Sequence, residues 1–403
     1  MLSEISKMEE LYKKSDLLLA NLNDDFERGV YDRIHWEDRL LGITGARGTG
    51  KTTLLLQRMR KVINGTDSLY ISMDDPYFLV VPLIKLIENF RESGGKYLFV
   101  DEVHKYPCWA RELKNFYDFY KDVKIVFTGS SAIDIYRQDV DLSRRAVMYE
   151  MSGLSFREYL MFNRILDTPA LKLEDILENH NEIALELIKD FRPIPHFENY
   201  LEFGYYPFFM ESESSYSVKV EQVVRLIVET DMRFIKEITL ENTRSILKLL
   251  KILATTVPFK PNISSLSEKV GVDRTTLIHY LHYLEKARLV NTVQAYGKKL
   301  TKLAKPDKLY LENTNIKYAL AAGKADRGSM RELFFMNQMA NIGKEATLPH
   351  NGDFYIDDIT YEIGNKNKTN KQIHNVKDSY IVADGIEFGR GNRIPLWLFG
   401  MMY

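Results

Sequence analysis

The residues Gly45-Ala46-Arg47-Gly48-Thr49-Gly50-Lys51-Thr52 carry the spacing G-x-x-x-x-G-K-[ST], and each fixed place in it has a chemical reason. Glycines at 45, 48 and 50 let the backbone close around a polyphosphate with its amide hydrogens pointing inward. The first turn of a following helix adds unpaired amides and a partial positive charge. At this spacing Lys51 reaches the β- and γ-phosphates and the Thr52 hydroxyl binds magnesium. The apolar run Leu40-Leu41-Gly42-Ile43-Thr44 in front reads as a short buried strand, and Thr53-Leu54-Leu55-Leu56 behind as the start of a helix. That context makes the stretch a nucleotide site rather than a glycine-rich turn.

Other residues with phosphate chemistry stand at strand ends. Val100-Asp101-Glu102 closes one apolar run, so Asp101 can hold magnesium through water and Glu102 can polarise an attacking water. Thr128-Gly129-Ser130-Ser131 closes another; Ser130 or Ser131 is either the side chain that orients that water or the cap of a helix over 132–137. Ser143-Arg144-Arg145 offers a guanidinium, Arg145 by preference, that could cross to a neighbouring subunit's γ-phosphate or form a surface ion pair. Tyr31, Arg33 and Trp36 fit either an adenine face or ordinary packing.

These residues need a parallel sheet to bring them together. Strand-like runs at 69–73, 97–100, 123–127 and 146–149 alternate with helical stretches at about 54–63, 79–92 and 109–120. Short apolar strands separated by helices make an α/β, doubly wound sheet with the phosphate loop at the carboxyl edge of its first strand. Residues 4–22 repeat apolar positions at helical spacing, which predicts an amphipathic helix packed on that sheet.

A chain of 403 residues with 45% hydrophobic and 12% aromatic content holds two or three packed domains. Its net charge of -1 means that affinity for nucleic acid would have to come from a local patch. Cys108 is the one cysteine, so no internal disulfide forms. With no secretory signal and no run of about 18 apolar residues, the expectation is a cytoplasmic protein with no membrane span.

The phosphate loop, Asp101-Glu102, Thr128-Gly129-Ser130-Ser131, Arg144-Arg145 and Leu154-Ser155-Phe156-Arg157-Glu158-Tyr159-Leu160 together resemble the AAA+ ATPases of bacteria and archaea whose C-terminal half is a domain of unknown function. The resemblance extends over nearly the whole chain. It implies a P-loop NTPase of the AAA+ type that binds ATP and Mg2+ and works as a homo-oligomer. Its implied nucleotide contacts are Gly45, Arg47, Gly48, Thr49, Gly50, Lys51, Thr52 and Thr53, with Thr52 and Asp101 at the metal and Glu102, Ser130 and Arg145 in hydrolysis. The family has a glycine before its arginine finger, where this chain has Arg144.

Beyond residue 151 the sequence turns helical, with helices at 155–162, 173–191, 196–203 and 216–235 broken by Gly204-Tyr205-Tyr206-Pro207. A helix at 243–256, a second at 263–270, Gly271 and a third opening at the cap Asp273 form a helix-turn-helix. With a hairpin of 289–293 and 308–311 they make a winged helix, in which Arg274, Thr275, Thr276 and His279 face a DNA groove and Lys298, Lys299 and Lys302 meet phosphates. Such modules also dock proteins.

In the final segment Glu332 on a helix, Asp353 at a strand start and Glu362 on the next strand resemble restriction-endonuclease-like nucleases, with Leu396-Trp397-Leu398-Phe399 closing the sheet. Those nucleases place a lysine two residues after the strand glutamate, where this chain has Gly364; Lys366 and Lys368 come later and are expected to point elsewhere unless the backbone bends. The expected domains are an N-terminal helix (1–36), the P-loop core (37–152), a helical lid (153–238), the winged helix (239–312) and a small, degenerate nuclease-like α/β domain (313–403). The function expected is an ATP-hydrolysing oligomeric machine or switch. The alternatives are a DNA-binding nuclease gated by ATP and an ATP-regulated scaffold for an unknown protein partner.

Overall fold

Apolar residues fill both faces of the strands near the N-terminus, so those strands need cover on both sides. The computed structural model describes every residue except 1–3, 64–66, 131–141, 143, 235–239, 257–260 and 299–304. Ser131, Ser143, the expected helix at 132–137, Lys299 and Lys302 therefore lie outside the described residues. The chain divides into two compact units, 1–152 and 153–403.

In the first unit, α1 (Glu4–Ala20) and the short α2 (Val30–Arg33) precede β1 (Leu40–Thr44) and α3 (Lys51–Val62). Then follow β2 (Ser68–Ser72), α4 (Leu83–Glu92), β3 (Tyr97–Asp101), α5 (Trp109–Phe119), β4 (Lys124–Gly129) and β5 (Val147–Glu150). All five strands are parallel, in the order β2-β3-β4-β1-β5. Leu40, Leu69, Ile71, Leu98, Val100, Ile125 and Phe127 pack into one core with residues of α4 and α5. Their neighbours Leu41, Ile43, Tyr70, Phe99 and Val126 pack into another with residues of α3. This is the α/β architecture of a parallel sheet with helices on both faces. The Ser15 hydroxyl of α1 accepts from the Tyr70 amide at 3.3 Å, giving a partner to backbone on the edge strand β2.

Tyr31 and Trp36 belong to the core around α3, with ring centroids 4.8 Å apart and the Trp36 indole donating to Tyr31 O at 3.0 Å. Packing thus accounts for both rings.

The second unit begins with α6 (Phe156–Phe162), α7 (Leu173–Leu187), α8 (Pro193–Phe203), α9 (Glu213–Glu229) and α10 (Leu240–Thr255). A reciprocal Ser155–Glu158 capping box starts α6. Next come α11 (Ile263–Val270) and α12 (Arg274–Lys286), joined through Gly271 at φ 89°, with the Asp273 carboxylate accepting from the Thr276 amide at 2.9 Å. β6 (Val290–Val293) and β7 (Lys308–Leu311) pair antiparallel behind them.

The rest comprises α13 (Thr314–Leu320), α14 (Arg327–Asn341), β8 (Phe354–Ile356), β9 (Ile359–Asn365), β10 (Ser379–Asp384) and β11 (Arg393–Pro395). The sheet order is β11-β10-β9-β8, antiparallel between β8 and β9 and parallel elsewhere. Leu396–Met401 corrects the expectation at this end: it is a buried 3-10 helix, and β10 and β11 complete the sheet instead. A run apolar at every position suits any fully buried element, and periodicity alone does not choose between them.

Candidate functional site

The loop after β1 is shaped by its glycines. Gly50 sits in the left-handed region (φ 96°) at the start of α3, and a Cβ on Gly45 would lie 2.2 Å from Met151 O. Thr49 is buried and its hydroxyl donates to Ala46 O at 2.9 Å. The Lys51 ammonium donates to Gly45 O at 3.0 Å and Ala46 O at 2.8 Å, so the cation lies within its own loop. Thr52 and Thr53 are exposed at the mouth. Buried Arg28 donates to Thr49 O and Ser152 O, both at 2.8 Å, clamping the loop from outside.

Asp101, at the end of β3, is buried and held from three sides. Thr52 Oγ1 donates to Oδ2 at 2.6 Å and Tyr70 OH to the same oxygen at 2.8 Å, while Thr128 Oγ1 donates to Oδ1. These donors come from α3, β2 and β4, the elements flanking β3. Burial, and then the adjacent Asp101 charge, push the Tyr70 hydroxyl's pKa well up, so it remains a donor.

The hydroxyl of Thr52 beside the Asp101 carboxylate is the oxygen donor set that a magnesium ion with several waters accepts, and these residues fit that ion. Among the described residues no group of three or more His, Cys, Asp or Glu side chains is arranged to hold a metal. Two oxygen ligands suffice where phosphate and water complete the shell.

Glu102 leaves the strand with φ 56° and ψ 41°, a conformation that costs a non-glycine residue about 1 kcal/mol or more. Its amide donates to Thr128 Oγ1 at 3.0 Å. Its Oε2 lies 3.3 Å from Lys105 Nζ, 3.6 Å from an Arg47 Nη and 3.6 Å from His104 Nε2. Burial pushes this carboxyl up, but the His104 ring and the Arg47, Lys51 and Lys105 cations outweigh burial and hold it below the usual glutamate range. Glu102 is therefore an anion at neutral pH. Ser130 is buried; its amide donates to His104 Nδ1 at 3.2 Å, and its hydroxyl has no hydrogen-bond partner among the described residues.

The structure thus brings together Gly45, Arg47, Gly48, Thr49, Gly50, Lys51, Thr52, Asp101, Glu102 and Ser130 along the carboxyl edge of β1, β3 and β4. Arg145 is elsewhere, its guanidinium donating to both carboxylate oxygens of Asp118 at 2.7 and 3.0 Å. Sequence reasoning missed Tyr70, Thr128, His104 and Arg28. Thr128 stood in the motif that was read for its serines, and His104 follows Glu102 by two residues; nothing local marked Tyr70 or Arg28.

The second carboxylate group is already paired. Lys308 Nζ lies 2.6 Å and Tyr310 OH 2.7 Å from Glu332 Oε2, and the Ile363 amide donates to Asp353 at 2.8 Å. Lys368 corrects the expectation drawn from its position, because its ammonium pairs with Glu362. The chain turns after β9, with the Lys368 amide donating to Asn365 O at 2.9 Å, and the lysine stem lies over Gly364, where a Cβ would come within 2.5 Å of Lys368 Cγ. Burial, then Glu332 and Glu362, raise the Asp353 carboxyl to about 6. In the hairpin, Lys298 is held by both oxygens of Asp307 at 2.8 Å.

Residues 37–160 match the family model described as AAA domain. Residues 194–327 match a second model, described only as a domain of unknown function. The uncharacterized protein MJ1637 of Methanocaldococcus jannaschii is 28% identical, over 93% of this chain and 88% of its own length. Among solved structures, DnaA of Aquifex aeolicus with AMPPCP bound is similar over 71% of this chain and 89% of that one (TM-score 0.26, 18% identity). PCH-2 of C. elegans is similar over 39% of this chain (TM-score 0.23, 16% identity), and the match spans 45% of that chain, less than half its length. At these scores nothing about function passes from those proteins to this one. Among the described residues no helix is long and apolar enough to cross a membrane.

Proposed function

We propose that the AAA domain binds ATP with magnesium on residues 45–53 and hydrolyses it, and that the chain acts as a homo-oligomeric, nucleotide-driven switch. The carrying observation is the convergence of Thr52, Asp101, Thr128 and Glu102 on one sheet edge beside the phosphate loop. Lys51 would exchange its loop carbonyls for β- and γ-phosphate oxygens. Magnesium, held by Thr52 and through water by Asp101, would supply charge compensation for the phosphates. Glu102, anionic and placed just past the end of β3, would orient a water and take its proton as the water oxygen bonds to the γ-phosphorus and the bond to the leaving ADP oxygen breaks.

For the remainder, we read residues 153–238 as the lid, 239–312 as a winged helix and 313–403 as a restriction-endonuclease-like domain without cleavage activity. Lys308 and Lys368 on its carboxylates support the last reading, because a metal would have to displace them. The winged helix is read as a docking module. Duplex DNA as its partner would rest on the exposed Arg274 and Thr275, since Lys298 is neutralised by Asp307.

The experiment measures ATP turnover together with the affinity of a fluorescent ADP analogue. Lys51→Ala should lose probe binding, whereas Glu102→Gln should bind the probe and stop turning over. Unchanged turnover in Glu102→Gln would sink the assignment of the base.

A further inference from the structure

We infer that His104 is a positioning residue for hydrolysis, a rigid link that ties the Glu102 carboxylate to the end of β4; the inference rests on the proposed ATPase reading. The imidazole is buried, and its two nitrogens face different groups. Nδ1 accepts the Ser130 backbone amide at 3.2 Å. A nitrogen that accepts carries no proton, so in the neutral ring the proton sits on Nε2, assigned here from that hydrogen bond. Nε2 is the atom 3.6 Å from Glu102 Oε2. The ring therefore presents an N–H to the carboxylate while its other face is pinned to the strand end.

The pinning point matters because of where β4 lies. In the sheet β4 stands between β3, which delivers Asp101 and Glu102, and β1, which delivers the phosphate loop; Thr44 is in register with Gly129. Thr128 already fixes the backbone of the acid pair to β4, accepting from the Glu102 amide and donating to Asp101. Nothing in that contact sets the Glu102 side-chain rotamer. The carboxylate is offered Arg47 and Lys105 as well, and either cation alone could draw it away from a water at the γ-phosphate.

His104 opposes that drift from a fixed position, since a buried ring with two χ angles has little freedom compared with the longer, partly exposed lysine and arginine stems. A separation of 3.6 Å is outside hydrogen-bond reach, and contacts of this kind are commonly long until the reacting complex forms. Ser130, read from the sequence for its hydroxyl, acts in this scheme through its backbone amide.

The test uses the full chain and four variants. His104→Ala should lower kcat about tenfold to a hundredfold, the scale on which supporting groups act, with the Kd of N-methylanthraniloyl-ADP within about twofold of wild type. The two amide variants separate the ring's two contacts. In His104→Gln the amide reaches the place of Nε2 and should recover part of kcat; His104→Asn keeps only an acceptor for Ser130 and should recover less. In a Glu102→Asp background, which keeps the carboxylate one methylene shorter and part of the turnover, His104→Ala should cost less than it does in the wild type, because the two residues act as one unit.

Wild-type kcat in His104→Ala overturns the inference, as does an undiminished loss in the Glu102→Asp background. If His104→Ala does not fold, the order of the Gln and Asn variants decides, and equal values overturn it. A wild type that binds the probe without hydrolysing ATP overturns the ATPase reading and this inference with it. A wild type that turns over beside an unaffected His104→Ala overturns the inference alone.

Discussion

Asp101 accepts from three hydroxyls, and only one of them, Thr52, belongs to the phosphate loop. Tyr70 and Thr128 hold the carboxylate from the neighbouring strands, so its place does not depend on the Thr52 contact alone. Tyr70→Phe removes a buried hydrogen bond to a charged group and should cost about 1.5–3 kcal/mol of stability, read by denaturant unfolding, with a smaller change in probe affinity. Asp353 provides the opposite case. Its folded-state carboxyl titrates at about 6 against an ordinary value of 3.8, so the folded protein holds a proton that the unfolded chain releases. Stability from this group is intact below pH 3.8 and declines as pH rises to about 6. Asp353→Asn keeps an oxygen for the Ile363 amide and should raise stability above pH 7 by up to about 3 kcal/mol. Unfolding curves at pH 4 and pH 7.5 check it, and an equal gain at both pH values would remove the electrostatic explanation.

At the scale of elements, the loop between β1 and α3 is held from outside as much as by its own glycines. A methyl group on Gly45 would meet Met151 O, and backbone gives way poorly, whereas a methyl group on Gly94, also at positive φ (88°), meets nothing within 4 Å. Gly45→Ala should therefore abolish probe binding and destabilise by about 1–3 kcal/mol. Gly94→Ala should cost about 1 kcal/mol of backbone strain and leave probe affinity unchanged. Equal affinities in the two variants would show that the Met151 contact does not shape the site. The same scale explains where the sequence misled. Leu396-Trp397-Leu398-Phe399 is apolar throughout and reads as a strand, but it lies wholly buried as a 3-10 helix. Its hydrophobicity states only that it is inside.

At the scale of the whole molecule, Arg145 is the residue on which an oligomeric mechanism depends. Within one chain its guanidinium is engaged with Asp118. A role at a neighbour's nucleotide requires it to leave that exposed pair, which contributes little in any case. If it does so, Arg145→Ala should lower turnover at least about tenfold without changing probe affinity. Mixing Arg145→Ala with Lys51→Ala chains should then restore part of the turnover, since one supplies the loop and the other the guanidinium. No recovery on mixing, together with normal turnover in Arg145→Ala alone, assigns the residue to its ion pair.

The phosphate loop, the acid pair and the alternation of strands and helices were legible without coordinates, because each is written in local spacing and periodicity. The partners of those residues were not. Tyr70, Thr128, His104 and Arg28 act through contacts that parallel strand order creates between segments distant in sequence. Lys368 shows the same limit in reverse: its spacing placed it away from Glu362, and a turn over a bare Gly364 brought it back. Local sequence decided which chemistry was available, and the tertiary structure decided which groups hold it in position, because distances across a sheet are set by register and packing rather than by separation along the chain.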